Sequence, residues 1–317
     1  MISVVIPTKN DSEVFDTIGS VLNQEHESFE AVVVDGSDSE MAGELEEFCS
    51  GKADVKYFHE SERSEPVDTL NAARNFGVEK AEGDKIALLD GDCKAEEDWL
   101  GELDKQFEAF DIVESHVYYV SEGRNCPMDR AVQNSGDEHR FLGAGLAFKK
   151  EVWREQNFRE DLGFHGDTAF GFDAVENGYA YTSAEDARVD HHAGRFTSEE
   201  FVKERLRFED TPKFFQQYSE NERFEEEVER FSRVLFPKEL GYLALLFFSI
   251  LTPYNYILTL FLIGMGEAIY VNRESKKRDL EFCPLDVIRL IFLVPVALIA
   301  KRYAIWKGAL KYNVLVV

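Results

Sequence analysis

The chain has 317 residues and carries 61 acidic against 35 basic side chains, a formal net charge of −26. Such a surface lacks the excess of cations that neutralises phosphates, so nucleic acid is excluded as a partner. Residues 1–233 hold 55 acidic and 25 basic side chains (net −30), whereas residues 234–317 hold 6 and 10 (net +4). The acidic excess is typical of a halophilic protein in molar salt, where exposed carboxylates keep the surface hydrated.

Strands alternate with helices at the start of the chain. Apolar runs at 2–6, 29–34 and 55–58 end in polar loops, and an amphipathic pattern at 14–22 follows the first run. This alternation predicts βαβ crossovers and a parallel sheet, with ligands bound at the carboxyl ends of the strands. The loops after the first two runs contain Pro7, Thr8, Asn10 and Asp35.

A fourth apolar run, at 86–89, ends on Asp90-Gly91-Asp92. Side chains at i and i+2 lie on one side of an extended backbone, where two carboxylates repel each other unless a cation lies between them. A hard divalent metal suits such oxygens, and no cluster of Lys or Arg lies nearby in the sequence to replace it. The alternative is an ordinary Asp-Gly-Asp turn that leads into a helix at Glu96.

Three later segments contain further candidates. Residues 141–148 form an apolar run with Gly-Ala-Gly at 143–145, which predicts a strand whose backbone approaches a ligand closely, or else a glycine bulge. Asp167 precedes a helical pattern, either as a reactive carboxylate or as a helix N-cap. His191 and His192 follow a strand-like run and point to opposite faces, so at most one of them is a metal ligand.

Several of these segments occur in the order seen in a known family. The segments VVIPTKN, VVVDGSDS, NAARNFGVEKAEGDKIALLDGDC and HGDTAFGF resemble the motifs of the family 2 inverting glycosyltransferases, over about residues 1–195. The resemblance implies the GT-A fold, an α/β domain with a Rossmann-like, mostly parallel sheet. It also implies a nucleotide-sugar donor and a divalent metal, Mn²⁺ or Mg²⁺, on the donor diphosphate.

The resemblance assigns roles to the matching residues. The donor is contacted by Pro7, Thr8, Asn10, Asp35, Arg74, Asn75, Asp90 and Asp92, and the metal is held by Asp90, Asp92 and His191. Gly143, Ala144 and Gly145 line the sugar and the acceptor, and Asp167 is the general base. The family usually has Glu-Asp where this chain has Gly166-Asp167, a departure that removes a neighbour which commonly fixes the base or the acceptor.

The cysteines give no sign of a disulfide framework. The four of them, at 49, 93, 126 and 283, form no Cys-x-x-Cys pair, which is typical of a reducing compartment. Polar residues follow the first strand at once, so no signal peptide is expected. We therefore expect the catalytic part to be cytoplasmic.

An apolar segment near the C-terminus predicts attachment to the cell membrane. Residues 240–266 contain no charged side chain and are long enough to span a bilayer. Because Pro253 interrupts them, they form either one kinked span or a two-span hairpin at about 237–272. The basic residues at 273–278 favour the hairpin, since both ends then lie on the cytoplasmic side.

The chain therefore divides into three predicted parts. Residues 1–195 are the GT-A domain, residues 196–235 a charged amphipathic helical connector, and residues 236–317 the membrane region. Within the last part, residues from about 285 to 302 suit a helix in the membrane interface, because they are short, apolar and flanked by cations.

These features predict metal-dependent, inverting transfer of a sugar from a nucleotide-sugar donor to a lipid-linked glycan acceptor at the cytoplasmic membrane face. The resemblance is to transferases that extend dolichol-phosphate glycans for protein N-glycosylation in halophilic archaea. The alternatives are a polyprenyl-phosphate monosaccharide synthase and a non-catalytic membrane scaffold with the same fold. A nucleotidyltransferase would need a Gly-rich, basic phosphate loop after the first strand, and residues 7–10 are not one.

Overall fold

A computed structural model describes residues 1–120, 126, 128–129, 141–192, 194–220, 266 and 283–314. The chain divides into two compact units. The first comprises Met1–Val120 and Ser135–Ala193, and the second Ser121–Asn134 and Gly194–Val317. The predicted hairpin at 237–272 lies outside the described residues, apart from residue 266.

The first unit is built on an eight-stranded sheet in the order β3-β2-β1-β4-β7-β6-β8-β5. The strands are β1 (Ile2–Thr8), β2 (Phe29–Asp35), β3 (Val55–His59), β4 (Lys85–Leu88), β5 (Cys93–Ala95), β6 (Ile112–Val120), β7 (Leu146–Lys149) and β8 (Tyr181–His192). The predicted α/β class is confirmed, and β1 to β4 are parallel to one another. The sheet as a whole is mixed, because β7 and β5 pair antiparallel with their neighbours. An apolar run does not encode the direction in which a strand pairs.

Both faces of the central strands are buried, which agrees with their continuous apolar sequences. Val4 and Val5 are adjacent on β1 and therefore face opposite sides of the sheet, yet both are fully buried. Such strands occur where helices cover a sheet on both sides. Because β1, β2 and β4 are parallel, their carboxyl ends lie at one edge of the sheet.

Six α-helices and two 3-10 helices of the described residues surround the sheet. They are α1 (Val14–Leu22), α2 (Ser39–Cys49), α3 (Leu70–Lys80), α4 (Trp99–Gln106), α5 (Lys150–Glu155) and α6 (Gly166–Glu176), with 3-10 turns at Glu60–Glu62 and Glu160–His165. The helix predicted at 14–22 is confirmed. The one expected from Glu96 begins at Trp99, after a turn at residues 97–98. The strand predicted at 141–148 starts only at Leu146, and residues 143–145 form a turn.

The described part of the second unit is helical. It contains α7 (Ser198–Lys203), a 3-10 helix (Glu204–Asp210), α8 (Thr211–Tyr218) and the 29-residue α9 (Pro284–Tyr312). Phe201 of α7 packs in one apolar cluster with Leu290 and Ala297 of α9. Lys307 and Lys311 of α9 pair with Glu209 at 2.5 and 3.3 Å.

A disulfide joins Cys126 to Cys283 in this unit. The interpretation of all four cysteines as free thiols was therefore wrong for this pair, and only Cys49 and Cys93 are free. The two bonded residues are 157 positions apart in the sequence and have a Cα–Cα distance of 5.8 Å. Disulfide formation depends on that distance, which spacing along the chain does not reveal. Cysteine content thus no longer supports a reducing compartment.

Helix α9 exposes a continuous row of large apolar side chains, the apolar stripe. Its members follow one another at intervals of three or four residues and are 49–85% exposed: Leu285, Ile288, Phe292, Val296, Ile299, Tyr303, Trp306 and Leu310. This spacing places them on one face of the helix. Among the described residues, none of the helices combines the length and the apolarity needed to cross a bilayer.

Candidate active site

A cleft of about 350 Å³ opens at the carboxyl ends of the parallel strands. Its lining consists of Pro7, Thr8, Lys9, Asp11, Val34, Gly36, Glu60, Val67, Asp68, Thr69, Leu70, Ala73, Asp90, Gly91 and Asp92. Four residues predicted to contact the donor therefore line it, namely Pro7, Thr8, Asp90 and Asp92. The hydroxyl of Thr8 is buried and has no hydrogen-bond partner among the described residues.

The two carboxylates of the Asp-Gly-Asp segment have different partners. Arg74 on α3 donates a hydrogen bond of 2.9 Å to Asp90 Oδ1, whereas Asp92 Oδ1 lies 3.6 Å from His191 Nε2. The sequence has no cluster of Lys or Arg beside this segment, and the basic side chain that pairs with Asp90 comes from α3. Burial raises the pKa of Asp92 to about 6; the nearby Asp90 also raises it and His191 opposes the shift.

Asp92 and His191 are suitable ligands for a divalent metal. Their ligand atoms and the Cys93 sulfur all lie within 4.8 Å of one another, because β5 pairs Cys93 with His191 on β8. His191 Nδ1 is buried without a partner among the described residues, and the Tyr119 ring stacks on the imidazole. Burial raises the pKa of the Cys93 thiol, which leaves a neutral sulfur that is a poor ligand for a hard cation. Asp90 is not in this cluster.

Asp167 lies in the first turn of α6 and reaches across to the turn at 143–145. Its Oδ2 accepts a hydrogen bond of 3.0 Å from the Gly143 amide, and its Oδ1 accepts one of 2.8 Å from the Thr168 amide. The N-cap position belongs to His165, which makes no side-chain cap, so the alternative of Asp167 as an N-cap is wrong. Burial raises the pKa of Asp167, while Arg74 and the two amides oppose the shift.

Arg74 connects Asp90, which lines the cleft, with Asp167, which lies outside the lining. Its side chain is 3% exposed, and its guanidinium lies 2.9 Å from Asp90 and 3.8 Å from Asp167. A Cβ atom at Gly143 would lie 2.2 Å from Arg74 Nη2. The glycine predicted to let a ligand approach therefore makes room for the Arg74 side chain, which Asp90 and Asp167 hold in place.

Asn71 fills the space beside Gly166, where the family usually has Glu. A Cβ atom at Gly166 would lie 2.1 Å from Asn71 Nδ2. That nitrogen donates hydrogen bonds to the carbonyls of Gly163 (2.6 Å) and Arg159 (3.2 Å). The missing Glu is thus accompanied by an amide side chain that ties the segment before Asp167 to α3.

Of the eight predicted donor contacts, Arg74, Asp35, Asn10 and Asn75 do not line the cleft. Asp35 is fully buried and accepts hydrogen bonds from the Tyr57 hydroxyl (2.9 Å) and the Ser37 amide (2.8 Å). Asn10 has a positive φ of 52°, and its side-chain oxygen accepts from the Asp38 amide. Asn75 accepts from Trp153 Nε1 and the Phe158 amide and donates to the Phe158 carbonyl and Glu160. Asp35 and Asn10 thus hold the loops after β2 and β1, which contribute to the cleft lining, whereas Asn75 ties α3 to the segment at 153–160.

Glu114 is a residue that the sequence-based reasoning missed. It is 3% exposed on β6 and accepts hydrogen bonds from the Leu142 amide (3.2 Å) and the Tyr181 hydroxyl (3.3 Å). Burial raises its pKa to about 7. Glu114 thereby supports the turn that brings Gly143 to Asp167. The available signal was a Glu directly after two apolar residues of a strand, at 112–114.

Comparison with known proteins identifies the class to which this site belongs. Residues 3–160 match the family model Glycosyl transferase family 2, and the chain belongs to the family 2 glycosyltransferases. It is 25% identical to Glycosyltransferase AglE of Haloferax volcanii over 210 residues, which cover 62% of this chain and 68% of AglE. It is 39% identical to an uncharacterized glycosyltransferase of Rickettsia bellii over 92 residues, 29% of this chain and 13% of that relative. The chain thus matches only a small part of such longer relatives.

Among solved structures, the fold is similar to that of residues 1–349 of TarS from S. aureus. The complex of TarS with UDP-GlcNAc superimposes with a TM-score of 0.52 at 15% identity, covering 100% of this chain and 93% of TarS. The complex with UDP gives a TM-score of 0.50 at 15% identity, covering 98% and 91%. At this identity the likeness concerns the fold alone, and it confirms the α/β fold of GT-A type.

Proposed function

We propose that the chain transfers a sugar, with inversion, from a uridine diphosphate sugar to an acceptor hydroxyl. The observation that carries this proposal is the cleft lined by Asp90 and Asp92, with His191 beside Asp92 and Arg74 joining Asp90 to Asp167. Support for the donor comes from TarS, a protein of similar fold crystallised with UDP and UDP-GlcNAc.

Asp92 and His191 would hold the divalent metal of the donor complex. Bound there, the metal neutralises the charge that develops on the departing diphosphate. The Thr8 hydroxyl, unpartnered in the described structure, is a donor for the same anion. The diphosphate leaves with the electrons of the sugar–oxygen bond.

Asp167 takes the proton of the acceptor hydroxyl as its oxygen bonds to the anomeric carbon. Attack opposite the departing diphosphate inverts that carbon in a single step. The raised pKa of Asp167 makes it a stronger base than an exposed Asp. Its hydrogen bond from Gly143 and its proximity to Arg74 keep the carboxylate oriented.

The acceptor we propose is a lipid-linked glycan of the dolichol-phosphate type, extended for protein glycosylation on the cytoplasmic side of the cell membrane. The uncharged segment at 240–266 supports attachment to a membrane. The apolar stripe of α9 supports contact with a lipid surface, because Tyr303 and Trp306 are residues that favour the membrane interface. The net charge of +4 over residues 234–317 suits anionic headgroups.

A donor and acceptor screen tests this function. We expect the purified protein with Mn²⁺ to release UDP from one UDP-sugar when a lipid-linked glycan is present, and to lose this activity on Asp167→Asn. Activity on polyprenyl phosphate alone would instead favour the monosaccharide synthase. If no nucleotide sugar is bound or turned over with any acceptor, the non-catalytic scaffold is the better description.

A further inference from the structure

Glu60 places a carboxylate in the cleft that the mechanism above does not use. It is the first residue of the 3-10 turn after β3 and lines the cleft together with Val34 and Gly36. Its side chain is 27% exposed. Within the part of the chain that the structure describes, it makes one ion pair, with Lys9 at 3.6 Å, and the Lys9 side chain is 65% exposed. A pair of that kind is weak and is readily exchanged for a ligand.

Gly36 makes room for this carboxylate. A Cβ atom at residue 36 would lie 2.4 Å from Glu60 Oε2 and 3.0 Å from Glu60 Cδ. The turn that carries Glu60 is capped by the neighbouring residues, with His59 accepting from the Ser61 amide and Glu62 from the His59 amide. The capping therefore fixes the backbone of Glu60 while its side chain extends over Gly36.

Sheet order places Glu60 at the opposite end of the cleft from the Asp-Gly-Asp segment. Glu60 follows β3, whereas Asp90 and Asp92 follow β4, and the intervening order is β3-β2-β1-β4. Three strand spacings separate the two ends by about 14 Å. If the donor diphosphate lies by Asp92, the extended remainder of a nucleotide brings its base towards Glu60.

We propose that Glu60 selects the nucleobase by accepting a hydrogen bond from a ring N–H. Uracil presents such an N–H on its pairing edge, and so does guanine, whereas cytosine and adenine present a ring nitrogen with a lone pair that repels a carboxylate. Asp35, at the end of the neighbouring strand β2, is fully buried and already accepts hydrogen bonds from Tyr57 and the Ser37 amide. This inference rests on the proposed nucleotide-sugar function and adds the residue that sets its base preference.

Calorimetric titration of the full chain with UDP, GDP, CDP and ADP, each with Mn²⁺, tests the proposal. We expect UDP or GDP to bind more tightly than CDP and ADP. Glu60→Gln, which keeps the shape and removes the charge, should weaken binding of the preferred nucleotide about 10- to 100-fold, the range of a hydrogen bond to a charged group. Gly36→Ala should act in the same direction, because it displaces the Glu60 carboxylate.

Two controls separate this inference from the proposed function. Glu65→Gln removes one charge from the same loop, at a side chain that is 76% exposed, and should leave nucleotide affinity unchanged. Inorganic pyrophosphate with Mn²⁺ should bind wild type and Glu60→Gln equally. Unchanged nucleotide affinities in a folded Glu60→Gln protein would overturn the role of Glu60 alone. Failure of the wild type to bind any of the nucleotides would overturn the donor function as well.

Discussion

At the scale of single residues, the acidic site is stabilised by contacts between segments distant in the sequence. Asp90 and Asp92 are two positions apart, yet one pairs with Arg74 of α3 and the other with His191 of β8. The repulsion expected between them is thus relieved by two different basic groups. Under the proposed function, a metal held by Asp92 would be one part of the charge balance, and Arg74 the other.

We predict that Asp92→Asn nearly abolishes transfer and Mn²⁺-dependent donor binding while the protein stays folded. The substitution removes a metal ligand, and the raised pKa of Asp92, about 6, means that its ionised form is not what stabilises the fold. Calorimetry with UDP and Mn²⁺, together with circular dichroism, measures both effects. Asp98→Asn is the matched control, because Asp98 makes no side-chain cap at the start of α4. Full transfer by the wild type in excess EDTA would contradict the role of a metal.

We predict that Asp167→Asn retains donor binding and loses turnover by about 10²–10⁴, the usual contribution of a general base. The amide oxygen can still accept from Gly143, so the turn at 143–145 should persist. Single-turnover rates and UDP affinity give the two quantities. Wild-type turnover in the variant would remove Asp167 from the chemistry and leave it a purely structural contact to that turn.

Glu114 gives a prediction about pH and stability. Its pKa rises from 4.5 to about 7 on folding, so between these values the folded protein binds more protons than the unfolded chain and stability falls as pH increases. The stabilisation is complete below pH 4.5 and lost above pH 7, and it amounts to about 3 kcal/mol. Glu114→Gln removes this term. In urea unfolding, the free energy of unfolding of the variant should therefore increase relative to that of the wild type from about pH 4.5 to about pH 8. A difference that stays constant with pH would contradict the raised pKa of Glu114.

At the scale of elements, the two faces of α9 differ in their exposure to solvent. Phe201 of α7 covers one face in a cluster with Leu290 and Ala297, whereas the apolar stripe remains exposed. Single exposed apolar side chains are normal on a protein surface, whereas this helix of 29 residues exposes a continuous row of them. We therefore expect lipid to cover it.

We predict that lipid-borne bromine atoms quench the fluorescence of Trp306 when the protein is added to vesicles. Trp306 is 53% exposed in the stripe, whereas Trp99 is fully buried in the first unit. Trp306→Phe should remove most of the quenchable signal and keep membrane binding. Equal quenching in both proteins would place the lipid contact elsewhere, and no quenching in either would contradict a membrane-facing stripe.

At the scale of the whole molecule, the net charge of −26 generates repulsion within the folded state. Salt screens this repulsion, and the Debye length falls from about 10 Å at 0.1 M to about 3 Å at 1 M. We predict that the melting temperature rises from 0.1 to 2 M KCl. Thermal scans at fixed pH measure the change, and a temperature that stays constant or falls would contradict adaptation to molar salt.

Much of the first unit was predictable because its signals are local. Apolar runs bounded by polar loops located β1 to β4, and the positions of Asp90 and Asp92 after a strand indicated the edge where the cleft lies. The direction in which strands pair was harder to predict, since the residues of β7 do not indicate whether it pairs parallel or antiparallel with its neighbours. The division into parts at 195 and 235 stays a prediction, as do the roles of the individual site residues.

The sequence by itself determined the class of fold, the family and the edge of the sheet at which ligands bind, because hydrophobic periodicity and ordered motifs depend only on neighbouring residues. The tertiary structure alone decided which partner each polar side chain has. It placed Arg74 between Asp90 and Asp167, buried Asp35 against Tyr57, brought Glu60 over Gly36, and joined Cys126 to Cys283. These contacts join residues separated by 16 to 157 positions, and only the path of the folded backbone brings such residues within reach of one another.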